Sequence, residues 1–198
     1  MKQNNLLWII GSFILFSFFI TSCDESAGVE NPYDNWEEKN KVYFDSIASV
    51  AVKNMGDEPG QWKRLKSRKL ASDNPGLSDE YVYAQIREVG NGVSPEYDSD
   101  TIVVHYRGTL ITGYVFDKTF DGELDRETDV PTDVLTLGGV VDGWSVALDA
   151  MKVGDRWDLY IPAAMGYGIG NREGIPGSST LIFDINLVDV RPMKGSGK

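Results

Sequence analysis

Asp142-Gly143-Trp144-Ser145-Val146-Ala147-Leu148-Asp149-Ala150-Met151-Lys152-Val153-Gly154-Asp155-Arg156-Trp157-Asp158-Leu159-Tyr160-Ile161 holds two incompatible periods within twenty residues. Trp144, Ala147, Leu148 and Met151 fall at i, i+3, i+4 and i+7, which is one face of a helix. Asp142 stands where a cap is wanted and Gly154 where the helix must stop. From Trp157 onward the spacing changes to two, with Trp157, Leu159 and Ile161 on one side, the pattern of a strand. So short a helix cannot hold in water alone. It must lie on the concave face of the sheet into which the next strand feeds.

The flanking sequence supplies the other strands. Tyr81 to Val89 alternates and ends at Gly90-Asn91-Gly92, a turn. Thr101 to Tyr106 is rich in β-branched residues and is closed by Gly108. Val115-Phe116-Asp117 follows a Thr112-Gly113 turn, and Val134 to Leu137 is short and apolar. Thr180 to Val190 is the longest run, with Leu181, Phe183, Ile185 and Leu187 pointing one way and Asp184 and Asn186 the other. The fold class is α+β: an antiparallel β-sheet wrapped around one short α-helix, preceded by an N-terminal helical extension. The sheet domain covers 77–192 and a flexible tail covers 193–198.

Upstream the reading is different. Leu6 to Ile20 is an apolar run of fifteen residues behind Lys2, interrupted by Gly11, Ser12 and Ser17. A bilayer-spanning helix needs about 20 residues, so the run fits a secretory signal, 1–22, that is removed. It ends in Ile20-Thr21-Ser22-Cys23, which resembles a bacterial lipobox. That resemblance implies lipidation at Cys23, where several acyl chains would hold firmly, and a lipid-anchored place in a bacterial cell envelope, at the outer membrane and facing either the periplasm or the surface. An ordinary signal peptide with an incidental Cys is the alternative. Residues 23–198 keep 18 basic and 30 acidic residues, a net charge of −12, so the lipid must do the anchoring.

A tether and helical extension fill 23–76. Trp36 to Val52 has helical spacing, with Trp36, Val42, Tyr43, Ile47, Val50 and Ala51 on a broad face, Asn35 and Glu38 placed as a capping box, and Asn54 and Gly56 near the end. That face packs on the same chain or on a second copy; the oligomeric state stays open. Lys63 to Lys69 carries five basic residues, Lys63, Arg64, Lys66, Arg68 and Lys69, read as a solvated linker or a run paired with nearby acids, with a lipid-headgroup or partner contact as the alternative. Ser72-Asp73-Asn74-Pro75-Gly76 is a dense turn signal that marks the domain boundary.

Charge and composition remove several classes of function. Lys and Arg total 19 against 30 Asp and Glu, a net charge of −11, which argues against a nucleic-acid partner. With one Cys and one His, neither a zinc site of the Cys/His kind nor a Cys–His nucleophile is available. His105 lies mid-strand with no Gly-x-Ser-x-Gly elbow to serve, and reads as a structural histidine. The acid-dense stretch 121–129 lacks the order of a calcium loop and contains Arg126, so a solvated loop is favoured over a metal site. Neither cofactor nor metal is expected. What remains is aromatic: Tyr106, Phe116, Trp144, Tyr167 and Phe183, at strand ends, at the helix start and in a loop.

Taken in order, several segments resemble the FKBP family of peptidyl-prolyl isomerases. They are Val103-Val104-His105-Tyr106-Arg107-Gly108, Gly113-Tyr114-Val115-Phe116-Asp117, Leu137-Gly138-Gly139-Val140-Val141-Asp142-Gly143-Trp144 and Met151-Lys152-Val153-Gly154. Tyr160-Ile161-Pro162, Gly166-Tyr167-Gly168, Gly174-Ile175-Pro176 and Leu181-Ile182-Phe183-Asp184-Ile185 follow. The resemblance covers roughly Tyr81 to Val190. It implies a cleft with Tyr106, Phe116, Asp117, Trp144, Tyr167 and Phe183 as catalytic positions and Val140, Val141 and Ile175 as substrate-binding ones. Trp144 would be the floor, and the Tyr167 hydroxyl and Val141 N–H would be donors to a bound peptide. The implied partners are proline-containing unfolded or exported polypeptides, with macrolide inhibitors as cleft ligands. The segment between Phe116 and Gly138 is longer than in small family members, an aromatic is replaced near Asp133, and the loop Ile169 to Ile175 is short. These departures bear on substrate preference and macrolide affinity. A peptide-binding or chaperone module with little catalysis is the alternative on the same fold.

Overall fold

The computed structural model describes residues 31–66, 78–96, 100–134 and 139–191, with 133 and 134 described by backbone alone. The signal 1–22, Cys23, Arg68, Lys69, the turn at 72–76, Leu137, Gly138 and the tail 193–198 lie outside them. The elements in chain order are α1 (Trp36–Ala51), β1 (Trp62–Lys66), a 3-10 turn (Ser78–Glu80), β2 (Tyr81–Glu88), β3 (Thr101–Thr109) and β4 (Val115–Lys118). Then come β5 (Thr132–Val134), α2 (Asp142–Ala150), β6 (Arg156–Ile161), a second 3-10 turn (Ala163–Met165) and β7 (Leu181–Arg191). Among the described residues, seven strands form one sheet in the order β1-β2-β6-β7-β3-β4, with β5 beside β4 on the same edge of β3. Each of these strand pairings is antiparallel, and an isolated parallel bridge joins Met55 to Trp62.

The two periods quoted above become α2 and β6. Trp144, Ala147, Leu148 and Met151 are buried against Val82, Ala84, Ile86, Val104, Leu159, Ile161 and Ile185, the concave face of the sheet. Gly143 permits the close approach: a β-carbon there would stand 2.4 Å from Ile161 Cγ2. Two details differ. The cap position of α2 is Val141, in extended conformation, and Asp142 is the first residue inside the helix. The helix also ends earlier than Gly154, at Ala150, with Met151 already in extended conformation as its C-cap.

The extension differs more. Asn35 occupies the cap position of α1 in left-handed conformation (φ 52°, ψ 38°), a geometry asparagine tolerates, and its side chain makes no capping hydrogen bond. The buried face is Trp36, Asn40, Phe44 and Ala51 rather than one containing Val42 and Val50, which are half exposed or more. The reason is polar. Asn40 is 2% exposed because its amide carbonyl accepts a hydrogen bond from Thr180 N (2.7 Å) and its amide nitrogen donates to Trp36 O (2.8 Å). Trp36 Nε1 donates to Ser179 Oγ at 3.0 Å. Phe44, Ala51, Trp62 and Tyr83 then form a second small core on the convex face.

The strand-rich region also begins earlier than 77. Part of the basic run is β1, an edge strand paired with β2 from Trp62↔Gln85 to Lys66↔Tyr81. Lys63 forms an ion pair with Asp57, and the Arg64 guanidinium lies 4.7 Å from the Tyr81 ring centroid. Lysines on an edge strand discourage pairing with a foreign strand, and that same chemistry makes the strand resemble a linker in sequence.

The acid-dense loop folds over the other half of the convex face. Asp125 accepts hydrogen bonds from Glu127 N and Thr128 Oγ1, and the former especially holds its carboxyl below the usual carboxylate range. Arg126 turns inward to Asn186 Oδ1 (3.2 Å) and Glu88 (2.7 Å). Beneath them His105 is 2% exposed and its Nδ1 has no protein partner. Burial holds its pKa below the ordinary 6.5, with Asp129 opposing and Arg126 assisting. As pH falls below about 6.5, the unfolded chain takes up a proton that folded His105 refuses, so stability should decline with falling pH. His105→Gln should flatten that decline. Denaturant midpoints at pH 5 and 7 measure it, and identical slopes in both proteins would remove His105 as the cause.

Candidate functional site

On the concave side, β3, β4, β7 and the start of α2 converge on a cleft of about 550 Å³. Its lining includes Tyr106, Phe116, Asp117, Val140, Val141, Trp144, Tyr167 and Phe183, eight of the nine positions singled out from sequence. Alternation explains the β3 and β7 contributions: Tyr106 continues the inward face of Ile102 and Val104, and Phe183 that of Leu181 and Ile185. Trp144 enters from the first turn of α2 and is 5% exposed.

Four rings pack edge to face. Trp144 meets Tyr106 and Phe183 at centroid distances of 5.1 Å, with interplanar angles of 83° and 80°. Phe116 meets Phe183 at 5.5 Å and 89°. Such arrangements place positive ring edges on negative faces and fix the walls relative to one another. Gly108 makes room for them, since a β-carbon there would stand 2.6 Å from the Phe116 ring and 2.7 Å from that of Phe183.

Polar groups share the lining, from Tyr106, Asp117, Thr132, Tyr167 and Arg172. Tyr106 donates its hydroxyl to Asp117 Oδ2 at 2.7 Å, and Lys118 N donates to Asp117 Oδ1 at 2.9 Å. Burial, and then that hydrogen bond, push the Tyr106 hydroxyl far above the ordinary phenol range, so it stays protonated. Trp144 Nε1 is buried and has no protein acceptor. The arrangement can enclose a compact apolar group and offer a few fixed dipoles. The carboxylate at its edge is already engaged on both oxygens.

Ile175 lies elsewhere. It is 7% exposed and lines an adjoining hollow with Tyr33, Tyr114, Asn171, Arg172, Gly174 and Pro176. Arg172, absent from the sequence reading, borders both spaces, its guanidinium 4.4 Å from the Tyr167 ring centroid. Thr132, Gly139 and Gly166 complete the cleft. Of these only the glycines stand in the quoted segments; nothing in the spacing marks Thr132 or Arg172.

Comparison with known proteins bears on this geometry. Residues 94–188 match the model of the family described as FKBP-type peptidyl-prolyl cis-trans isomerase. The FKBP-type peptidyl-prolyl cis-trans isomerase FkpA of Escherichia coli (strain K12) is 36% identical over 148 residues, 74% of this chain and 52% of that protein. The outer membrane protein MIP of Legionella longbeachae is 37% identical over 108 residues, 54% of this chain and 43% of that protein. The crystal structure of FkpA from Escherichia coli superposes with a TM-score of 0.57 at 32% identity, covering 80% of this chain and 62% of that one. The chain thus spans about half the length of the curated relatives it matches. The ordered motifs, α2 and the four-ring cleft all fall within the matched residues, so the region 94–188 carries the likeness to the FKBP-type peptidyl-prolyl cis-trans isomerase family.

Proposed function

We propose that this protein accelerates rotation about X–Pro bonds in exported polypeptides, from a lipid-anchored position in the bacterial envelope. The observation that carries the catalytic part is the ring-walled cleft of Tyr106, Phe116, Trp144 and Phe183. Amide rotation faces a barrier of about 18–20 kcal/mol because resonance stiffens the C–N bond. The cis and trans forms of X–Pro are close in energy but interconvert in about 10–100 s. At the barrier the twisted bond has lost resonance and part of its carbonyl polarity. An aromatic-walled cleft that sheds its water as the peptide enters disfavours the polar planar amide more than the twisted one, which is differential binding of the transition state. The rings hold the proline while the preceding residue turns. Rotation makes and breaks no covalent bond, so no nucleophile, metal or cofactor is called for.

The residues take distinct parts in this reading. Trp144 is the floor, Phe116 and Phe183 are walls, and Val140 and Val141 close the helix side. The Tyr167 hydroxyl and Val141 N–H hold the substrate's carbonyls. Asp117 fixes Tyr106 and contributes a local field instead of exchanging protons. A macrolide would occupy the same walls. Support for the cellular placement is the lipobox-like Ile20-Thr21-Ser22-Cys23 and the relative whose name is outer membrane protein MIP.

The test is cis/trans exchange of an Ala-Leu-Pro-Phe-type peptide with the processed protein, alongside mass analysis of its N-terminal peptide. Acceleration and an acylated Cys23 are expected. No acceleration with retained binding to unfolded chains would replace the isomerase with a binding module. An unmodified Cys23 would remove the anchor.

A further inference from the structure

We propose that the hollow formed by Tyr33, Tyr114, Asn171, Arg172, Ile175 and Pro176 is a second recognition site, taking an aromatic side chain of the same polypeptide whose proline sits in the cleft. The inference rests on the isomerase reading and adds a substrate preference to it. The hollow measures about 520 Å³ and adjoins the cleft through Arg172, which lines both. A chain seated in one therefore runs past the other.

Its chemistry is selective. Tyr33 is 40% and Tyr114 50% exposed, so each offers part of a ring to solvent. The Tyr114 hydroxyl lies over Gly174, where a β-carbon would stand 3.3 Å from it; the chain needs that glycine in left-handed conformation (φ 73°). Pro176 and the largely buried Ile175 supply apolar surface, and Arg172 supplies a guanidinium that already lies against one aromatic ring, that of Tyr167. Flat apolar walls with a cation at one side suit an incoming ring, which gains both stacking and cation–π attraction. An aliphatic side chain gains only the first kind of contact surface.

Tyr33 comes from the N-terminal extension, and the extension is fixed to the domain where this matters. Tyr33 packs on Trp36 at a centroid distance of 5.1 Å. Trp36 Nε1 donates to Ser179 Oγ, which in turn donates to Pro176 O at 2.5 Å. One hydrogen-bonded path thus ties the start of α1 to the wall of the hollow, and the Asn40–Thr180 bond lies one helical turn further on. The extension completes the site.

The experiment uses the full chain and a set of single-proline decapeptides of alanine and glycine, with one phenylalanine moved from three residues before proline to three after. Exchange rates are read by NMR. The all-alanine peptide reports the cleft alone, and its failure to be isomerised would sink the isomerase reading itself. One phenylalanine position should raise kcat/KM about three- to tenfold over the alanine peptide. Tyr33→Ala and, separately, Tyr114→Ala should abolish that gain and leave the alanine-peptide rate within about twofold, and Tyr33→Phe should retain the gain. Absence of a favoured position, persistence of the gain in both alanine variants, or an equal fall for both peptides would overturn the second site.

Discussion

Phe116→Ala should lower kcat/KM for a prolyl tetrapeptide by roughly 10- to 100-fold, with the protein still folded. Phe116 sits on β4, half-buried, and touches the rest of the aromatic cluster chiefly through the edge of Phe183. It is therefore a wall and not part of the main core. Removing a phenyl ring forfeits about 1.5–3 kcal/mol of apolar contact. If the contact is made more fully to the twisted amide than to the planar one, that loss falls on the barrier at about 1.4 kcal/mol per tenfold. The open wall also admits water, which restabilises the planar amide. Gly108→Ala approaches the same wall from behind, since the added carbon would collide with the Phe116 and Phe183 rings, and it should lower the rate without removing any cleft side chain. Lys66→Ala, on the exposed face of the edge strand β1, is the control and should leave the rate unchanged. Trp144→Ala is a poorer test: Trp144 is 5% exposed and truncation costs about 3–5 kcal/mol of stability, so loss of rate and loss of fold would arrive together. Equal rates for Phe116→Ala and Lys66→Ala would remove the cleft as the site of catalysis.

The cleft was legible because its residues sit on strong periodic elements. Alternation in Thr180 to Val190 put Phe183 inward, and helical spacing put Trp144 on the sheet; both are buried as expected. What sequence misjudged were the places where polar atoms pack. Asn40 has no place on a face drawn from apolar residues, yet it is buried because Thr180, 140 residues away, satisfies it. Without Asn40 the true face of α1 cannot be drawn, and Val42 and Val50 fill the gap wrongly. Asn186 alternates outward as read, yet it is 3% exposed because Arg126 and the backbone carbonyl of Asp155 cover it. β1 was hidden by its own cations. Arg172 carried no signal because its position depends on how the loop after Tyr167 folds back, through the paired backbone hydrogen bonds of Arg172 and Ile175. Long-range satisfaction of polar groups is a tertiary property, and a local period does not contain it.

The same point gives a large expected change in stability. On the convex face Asp158 of β6 and Asp184 of β7 stand directly opposite each other in the register, two carboxylates across one pair of strands. Such a pair is repulsive unless each charge is compensated. Arg87 donates to Asp158 at 2.6 Å, and Arg156 grips Asp184 with two nitrogens at 2.9 and 2.6 Å. The side chains of Asp158, Asp184 and Arg156 are only 9%, 12% and 14% exposed, so water screens them poorly. Burial pushes the Asp158 carboxyl upward, and Asp184 adds to that while Arg87 opposes it. Arg156→Ala strips Asp184 of its partner and leaves two poorly solvated carboxylates facing each other. Breaking a buried pair from one side costs about 3–5 kcal/mol, and the residual exposure places this case near 3. At about 2–4 °C per kcal/mol the melting temperature should fall by roughly 6–12 °C. The sign of the pH dependence follows. Arg156 also helps to hold the Asp158 carboxyl down, so without it folded Asp158 retains a proton that the unfolded carboxylate releases, and the variant should lose further stability as pH rises from 4 to 7. Arg156→Met with Asp184→Leu removes charge from both sides and should recover most of the loss, because the desolvated anion is gone. Denaturant unfolding of the native protein, the single variant and the double variant at pH 4 and 7 measures all three effects. A double variant no more stable than the single one would mean that Arg156 acts through its contacts with Glu88 and Glu123 and not through Asp184.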